Sequence, residues 1–267
     1  MLRHKISIFA GVALTLSMLA EGHAAAADWD YAASLSGRTY SAGLSLDPTL
    51  GLHQLIWGDP TTPFFGYIRP ALSGSITPTL FAGDAGLDIY PVSFLGMTVA
   101  KRWTHRFLEP SGYDCEANSC LGQMNSTKVS FRLLSAYQSY FLSAQYQRQF
   151  FEENGEGDGK QNIMDPANAL IYRADGSNLN TLAIILGKKV TDKISTGVLY
   201  QRGELDRRKS ASEADYVFAR SDLSAFGYSM VTATVGLGRF NTDLKRPGIS
   251  AIAIINYTGK APIGPAL

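Results

Sequence analysis

Residues 140–151 read YFLSAQYQRQFF, and the order of polar and apolar residues in this segment is the clearest indication of the fold. Alternate positions differ in character: Tyr140, Leu142, Ala144 and Tyr146 on one side, against Phe141, Ser143, Gln145, Gln147 and Gln149 on the other. Alternation with a period of two is typical of a β-strand whose two faces meet different surroundings. The pattern recurs in Thr39–Leu46, Thr181–Val190 and Tyr228–Phe240. It predicts an all-β chain.

The alternation alone fits a soluble sandwich as well as a membrane barrel, and three features favour the barrel. The segments run about 9–13 residues, a length suited to tilted membrane strands. The polar faces carry Gly, Ser, Thr and Gln rather than Lys and Glu, which suits a confined lumen. Aromatic residues gather at the segment ends, as interfacial girdles require: Trp57, Phe64, Phe65, Tyr90, Trp103, Phe150, Phe151 and Tyr257.

Dividing the chain by this pattern predicts a closed antiparallel transmembrane β-barrel of about 12 strands, within a range of about 10 to 14. The predicted strands lie near 33–46, 50–58, 64–74, 79–90, 96–106, 127–136, 140–151, 178–190, 193–205, 214–221, 225–240 and 248–257.

The predicted connections alternate between short and long, which is typical of outer-membrane barrels with short periplasmic turns and long outer loops. The tight ones are Gly58–Pro63, Pro91–Leu95, Tyr137–Ser139, Thr191–Asp192 and Asp222–Ser224. The longer, more polar ones are Phe107–Ser126, Phe151–Ser177, Asp206–Glu213 and Asn241–Pro247. We therefore expect this second group to face outward.

The N-terminus predicts export. Arg3, His4 and Lys5 precede the apolar run Ile6–Ala20, and Ala24–Ala27 offer a cleavage site, so residues 1–27 are interpreted as a secretory signal peptide. The barrel is assigned to residues 28–258 and a short C-terminal tail to 259–267. The 24 basic and 23 acidic residues nearly balance, and no basic stripe indicates a nucleic-acid partner.

Taken together, the chain resembles the superfamily of Gram-negative outer-membrane β-barrels. The residues that carry the resemblance are the signal peptide, the turn segments Tyr90–Gly96 and Lys189–Lys193, and the end of the chain at Ala251–Tyr257. The resemblance implies the bacterial outer membrane as location, with its lipid and lipopolysaccharide as surroundings and small solutes as ligands; we further expect a monomer. Unlike most such barrels, the chain continues past its last aromatic residue, Tyr257, with TGKAPIGPAL.

Two loops carry candidate sites. Cys115 and Cys120, close together in an exported chain, predict a small disulfide loop rather than a metal site, which would need further ligands. Residues 152–159 concentrate acid and glycine and are interpreted as a solvated loop, with a divalent cation site as the alternative. No cofactor or metal is assigned.

Five charged residues share the parity of the predicted lumen face: Arg69, Asp84, Asp88, Arg102 and Arg132. They alternate with Ile68, Phe81 and Ile89, which suit lipid. One interpretation is a ladder of ion pairs that plugs or stiffens the barrel. The other is a charged constriction that selects solutes.

Neither histidine of the exported chain, His53 or His105, adjoins an aspartate in the sequence, and no compact nucleophile motif accompanies them. The leading hypothesis is thus a non-enzymatic barrel, either a narrow porin-like channel or a structural surface protein. Two alternatives stay open. One is a lipid-modifying or proteolytic enzyme, which requires a histidine within about 3 Å of a serine or carboxylate. The other is a soluble periplasmic β-sandwich that binds a ligand.

Overall fold

The structure is a computed structural model and describes residues 27–40, 43–110, 114–152, 162–165, 170–173, 178–206, 210–243 and 245–260. The predicted signal peptide, apart from Ala27, lies outside the described residues, as does the tail beyond Lys260. No helix among the described residues is long and apolar enough to cross a membrane.

Fourteen strands run along the described part of the chain: β1 Asp28–Arg38, β2 Gly43–Gly58, β3 Phe65–Ile76, β4 Leu80–Val92, β5 Leu95–Arg106, β6 Gly122–Tyr137, β7 Tyr140–Phe151, β8 Asn162–Asp165, β9 Leu170–Arg173, β10 Asn178–Lys189, β11 Ile194–Leu205, β12 Ala211–Asp222, β13 Val231–Thr242 and β14 Lys245–Lys260.

Twelve of these strands form one closed antiparallel barrel, in which each strand pairs with its neighbours along the chain and β1 pairs with β14. The short strands β8 and β9 form a separate hairpin between β7 and β10. The predicted fold class and strand number are therefore confirmed. Because the sheet closes on itself, no strand edge is left unpaired, which is the condition for a β structure in lipid. The soluble sandwich is ruled out.

The first two strands differ from the prediction, which placed a single strand over 33–46. In the structure β1 already begins at Asp28, and a turn after Arg38 separates it from β2. The turn was missed because apolar residues continue to alternate through it, at Tyr40, Leu44 and Leu46. At the other terminus β14 extends to Lys260, beyond the predicted barrel end at 258.

The two longest connections, 107–121 and 152–177, emerge at the same end of the barrel, which we call the long-loop end. The opposite, short-turn end carries the connections 59–64, 93–94, 138–139, 190–193 and 223–230, the last with a 3-10 helix over Leu223–Phe226. The predicted loops at 206–213 and 241–247 are shorter than predicted, 206–210 and 243–244, because β12 begins at Ala211, β13 ends at Thr242 and β14 begins at Lys245. Hydrogen bonds between strands do not require surrounding lipid. The strands β12 to β14 therefore continue beyond the apolar belt of the outer face.

The outward face is apolar around the barrel. Leu72, Val217, Val235, Leu237 and Ile249 are all more than half exposed, with Ile249 at 77%. Towards the long-loop end the outward face of β11 to β13 becomes charged, with the ion pairs Arg202–Glu204 and Arg239–Asp215. An apolar belt bounded by polar residues is the exterior of a transmembrane barrel.

Part of the predicted aromatic girdle is confirmed: Trp57, Phe64, Trp103, Phe150 and Tyr257 are exposed. The other three predicted members, Phe65, Tyr90 and Phe151, are less than a tenth exposed and point inward. Phe65 and Tyr90 form an interior cluster with Tyr67, in which the Tyr67 and Tyr90 rings stack at 4.5 Å between centroids. Adjacent residues at a strand end point to opposite faces of the sheet. An aromatic pair such as Phe64-Phe65 therefore places one ring on the outer face and one in the lumen.

Side chains fill much of the lumen near the long-loop end. Leu170 of the β8–β9 hairpin is 1% exposed and packs in a cluster with Met124, Phe151, Leu179 and Leu205 from four barrel strands. A second cluster joins Ala214, Tyr216 and Phe240, with Tyr40, Leu199 and Ile252 packed against it. The hairpin thus closes part of this mouth.

The predicted disulfide is confirmed: Cys115 and Cys120 are bonded, with their Cα atoms 5.5 Å apart. Arg106, an inward residue at the end of β5, holds this loop against the barrel. Its Nη1 donates to the carbonyl of Ser119 at 2.7 Å, and its Nη2 donates to the carbonyl of Leu121 at 2.6 Å. The disulfide loop is therefore docked on the mouth.

Candidate functional site in the lumen

All five predicted lumen residues face the interior. In the sheet register Arg69 lies opposite Asp88, and Asp84 lies opposite Arg102. Arg132 lies on the same inward face of β6 as Lys128 and Ser130. The residues that alternate with them, such as Phe81 at 52% exposed, point outward as predicted. The fold joins four of the five into ion pairs and leaves Arg132 apart.

The first cluster is centred on Arg69. Its Nη1 donates to Asp88 at 2.7 Å, while Nε and Nη2 donate to the two oxygens of Asp30 at 2.8 and 2.5 Å. Asp88 also accepts a hydrogen bond from Thr98 Oγ1 at 2.7 Å. The side chain of Arg69 is 11% exposed and that of Asp30 is 2% exposed. Such a two-point contact of a guanidinium with a carboxylate is strong and directional.

Glycine at position 51 makes this arrangement possible. Gly51 lies on β2, opposite Asp30 of β1, and a Cβ there would be 2.3 Å from Nε of Arg69. The Arg69 side chain crosses the backbone of β2 at this point to reach Asp30. Any other residue at position 51 would occupy that path.

His53 extends the first cluster. Its Nδ1 lies 3.3 Å from Oδ2 of Asp30, and its Nε2 lies 4.0 Å from Asp28, which in turn pairs with Lys260 of the last strand. The fold therefore provides the histidine–carboxylate contact that the enzyme hypothesis required. His53 is only 3% exposed, however, and its described polar contacts are to these two carboxylates, with no hydroxyl or thiol nucleophile among them.

His105 occupies a different environment. It lies on β5 opposite Phe81 of β4, on the outward face, and it is exposed. Among the described residues it forms no ion pair with a carboxylate. This outward placement offers no catalytic pair.

The second cluster is centred on Asp84. Lys128 Nζ lies 2.8 Å from one carboxylate oxygen of Asp84, and Arg102 Nη1 lies 3.6 Å from the other. These three side chains are each less than a fifth exposed. Two cations share one carboxylate here, so the local charge is positive.

Arg132 is the predicted residue that stands apart. Its Nη2 donates to Oε1 of Gln145 at 3.0 Å, and the residue is exposed although it faces inward. It is close enough to the Tyr67 phenol to act on it electrostatically. Its exposure means that solvent reaches the lumen at this level.

The wall opposite the two clusters is almost free of charge. The inward residues of β10 and β11 include Thr181, Ala183, Ile185, Leu199 and Gln201, and those of β13 include Thr234, Gly236 and Gly238. Gln201 is exposed on this inward face. Arg220, near the short-turn end of β12, brings a positive charge to this wall. The lumen therefore has one wall rich in ion pairs and an opposite wall with few charges, among them Arg220 and Asp222 near the short-turn end of β12.

Three members of the clusters were not predicted as lumen residues from the sequence: Asp30, His53 and Lys128. Asp30 was missed because the first predicted strand began at 33. Lys128 shares the parity of Arg132 within a predicted strand, so the same signal applied to it. His53 shares the parity of Gly51 and Leu55, but its contact with Asp30 depends on the register between β1 and β2.

Within the described residues, no group of three or more His, Cys, Asp or Glu side chains could hold a metal ion. The acidic loop weighed as a cation site, 152–159, lies outside the described residues apart from Glu152, which pairs with Lys101.

No protein-family model and no curated protein matches this sequence. Among solved structures, a NanC porin is 7% identical with a TM-score of 0.45, covering 86% of this chain and 100% of that one. The β domain of the Bordetella autotransporter BrkA is 8% identical with a TM-score of 0.43, covering 87% and 98%. The translocator domain of autotransporter NalP from Neisseria meningitidis is 9% identical with a TM-score of 0.37, covering 94% and 95%.

These likenesses concern the fold. The assignment of this chain rests on its own features, which are the closed antiparallel sheet, the apolar outer belt and the polar lumen. It is a transmembrane β-barrel.

Proposed function

We propose that the protein is a narrow, non-enzymatic channel that admits small solutes past a charged constriction. The observation that carries this proposal is the exposure of Arg132 and Gln201, two polar side chains that face the lumen of a closed barrel. Inward polar groups that are open to solvent line a water-filled space. Barrels of about 8 strands are filled by side chains, and wide aqueous channels have about 16–18. Twelve strands suit a small path.

The constriction lies where the Arg69 and Asp84 clusters project from β3 to β6. Both clusters are fixed by ion pairs and hydrogen bonds, so their charges keep defined positions along the path. A permeating ion passes these charges on one side and mostly uncharged residues on the other.

The rival function is that of a closed structural barrel. It is favoured by the packing of Leu170 and its cluster at the long-loop end, which narrows the mouth. An enzymatic role is disfavoured because His53, the histidine with a carboxylate partner, is buried.

The test is planar-bilayer conductance of the purified, refolded protein, with swelling of proteoliposomes in small neutral solutes alongside. We expect discrete, small conductance steps. A heat-modifiability gel shows in each preparation that the barrel is folded. A folded protein with no conductance and no swelling would support the closed structural barrel instead.

We further propose that the protein is a monomer whose apolar belt contacts membrane lipid, and that the charged outward residues near the long-loop end contact lipopolysaccharide. The guanidinium groups of Arg202 and Arg239 support the second point, because guanidinium binds phosphate-bearing headgroups; Glu204 and Asp215 pair with these two arginines. Cross-linking in native membranes followed by electrophoresis tests the oligomeric state.

A further inference from the structure

The acidic residues of the two clusters are already engaged by cations. Asp30 and Asp88 both contact Arg69, and Asp84 contacts both Arg102 and Lys128. A cation that enters the lumen therefore finds carboxylates whose charge is largely balanced by fixed cations. These aspartates offer little attraction beyond what the fold uses.

Two inward arginines differ from those in the clusters. Arg132 donates to the neutral amide of Gln145, and no described carboxylate forms an ion pair with it. Arg220 shares the inward face of β12 with Phe218 and Tyr216 and lies opposite Ser195 and Thr234. Among the described residues it too has no ion pair with a carboxylate.

Both arginines lie in the half of the barrel nearer the short-turn end. Arg132 precedes the end of β6 at Tyr137, and Arg220 precedes the end of β12 at Asp222. They project from different walls into the same stretch of lumen. Asp222 shares the inward face of β12 two positions beyond Arg220, where its Oδ1 accepts from the backbone N–H of Ser224 at 2.8 Å. The three side chains together carry a net positive charge, which inside a low-dielectric wall focuses the field along the path.

We propose that Arg132 and Arg220 make the channel selective for small anions that carry carboxylate or phosphate groups, or for chloride. A guanidinium presents a planar fork of donors that matches carboxylate and phosphate oxygens and is always charged. This inference rests on the proposed channel function and names the class of solute for it.

The test is the reversal potential in a potassium chloride gradient, measured for the wild type and for the R132Q, R220Q and double variants. We expect the chloride-to-potassium permeability ratio to exceed unity in the wild type, to fall in each single variant and to fall furthest in the double. R148Q is the matched control, because Arg148 faces outward on β7, the strand next to β6, where it pairs with Asp206; its ratio should equal that of the wild type.

R132K and R220K keep the charge and should keep the selectivity, which separates loss of charge from a change in packing. A conducting wild type that prefers potassium, or a conducting double variant with the wild-type ratio, overturns the inference and leaves the channel function standing. A folded wild type without conductance overturns the channel function itself. If the glutamine variants fail to fold, the same comparison is made with R132C and R220C. A positively charged thiol reagent restores the charge at these positions, and a neutral thiol reagent does not.

Discussion

Arg69 of β3 reaches across β2 to Asp30 of β1, where its Nε and Nη2 lie 2.8 and 2.5 Å from the two carboxylate oxygens. The same guanidinium holds Asp88 of β4 at 2.7 Å through Nη1. The Arg69 side chain thus links β3 to β1 and β4 and crosses β2, next to the seam where β1 pairs with β14. We regard this contact as the centre of the charged wall.

Changing Asp30 to Asn should destabilise the barrel. The variant removes one of two carboxylates around a largely buried guanidinium, and loss of a partner from a buried ion pair costs on the order of 3 kcal/mol. The remaining contact with Asp88 makes the loss smaller than that. Urea unfolding in detergent, followed by tryptophan fluorescence, measures it.

D215N is the control for this prediction, because Asp215 pairs with Arg239 on the outward surface, where both side chains are about half exposed or more. An exposed pair contributes about 0–1 kcal/mol. If both variants lower stability equally, burial of the Arg69 pair does not govern its contribution.

Changing Gly51 to Ala should displace Arg69. The new Cβ would lie 2.3 Å from Nε, and the guanidinium cannot retreat without losing its contacts with Asp30. Overpacking of this kind costs about 1–3 kcal/mol. Gly83→Ala is the matched control, since a Cβ at position 83 meets no atom within 4 Å. We expect a lower unfolding midpoint for the first variant alone, and equal midpoints would show that the path over Gly51 is not needed.

Changing both Asp84 and Asp88 to Asn should make a conducting channel more anion-selective. The change removes two negative charges from the lumen and leaves Arg102, Lys128 and Arg69 with fewer counter-charges. Reversal potentials in a salt gradient measure the shift. If the clusters form a structural plug instead, conductance stays at zero and the unfolding midpoint falls; a conducting variant with an unchanged reversal potential contradicts the constriction.

Changing Leu170 to Ala should loosen the β8–β9 hairpin from the mouth. Leu170 is 1% exposed among Met124, Phe151, Leu179 and Leu205, and truncation of a buried leucine costs about 2–5 kcal/mol of packing. Because the hairpin is separate from the barrel sheet, we expect the loss of packing energy to let the hairpin move away from the mouth more easily. The conductance steps should then be larger or more frequent.

Leu186→Ala is the control for the hairpin variant, since Leu186 faces outward on β10 and is 49% exposed. Its conductance should match the wild type. Identical single-channel records for all three proteins would show that the hairpin does not limit the path.

The long-loop end should face the outside of the cell. Residues 155–160 lie outside the described residues, within the connection between β7 and β10. Trypsin added to intact cells should cut at Lys160 and leave the barrel strands whole. Cutting only after the outer membrane has been permeabilised would reverse the orientation.

The all-β class, the approximate strand number and the inward orientation of five charged residues could be predicted from the amino-acid sequence alone. These residues are Arg69, Asp84, Asp88, Arg102 and Arg132. Side-chain alternation is a local property of a strand and needs no knowledge of its neighbours. The Cys115–Cys120 bond was equally local, since the two residues lie close together in the chain. Turns were predicted less well, because alternation continued across the β1–β2 turn and the strands β12 to β14 extended beyond the apolar belt.

Which charged side chains form ion pairs with each other depends on the tertiary structure and could not be predicted from the sequence. Asp30 and Arg69 are separated by 39 positions, and their contact depends on the register of β1, β2 and β3 and on the open space above Gly51. The pairing of Lys128 with Asp84, the burial of His53 and the insertion of Leu170 likewise depend on closure of the whole sheet. The parity of a residue predicts that its side chain faces the lumen. Its ion-pair partner depends on the position of every intervening strand.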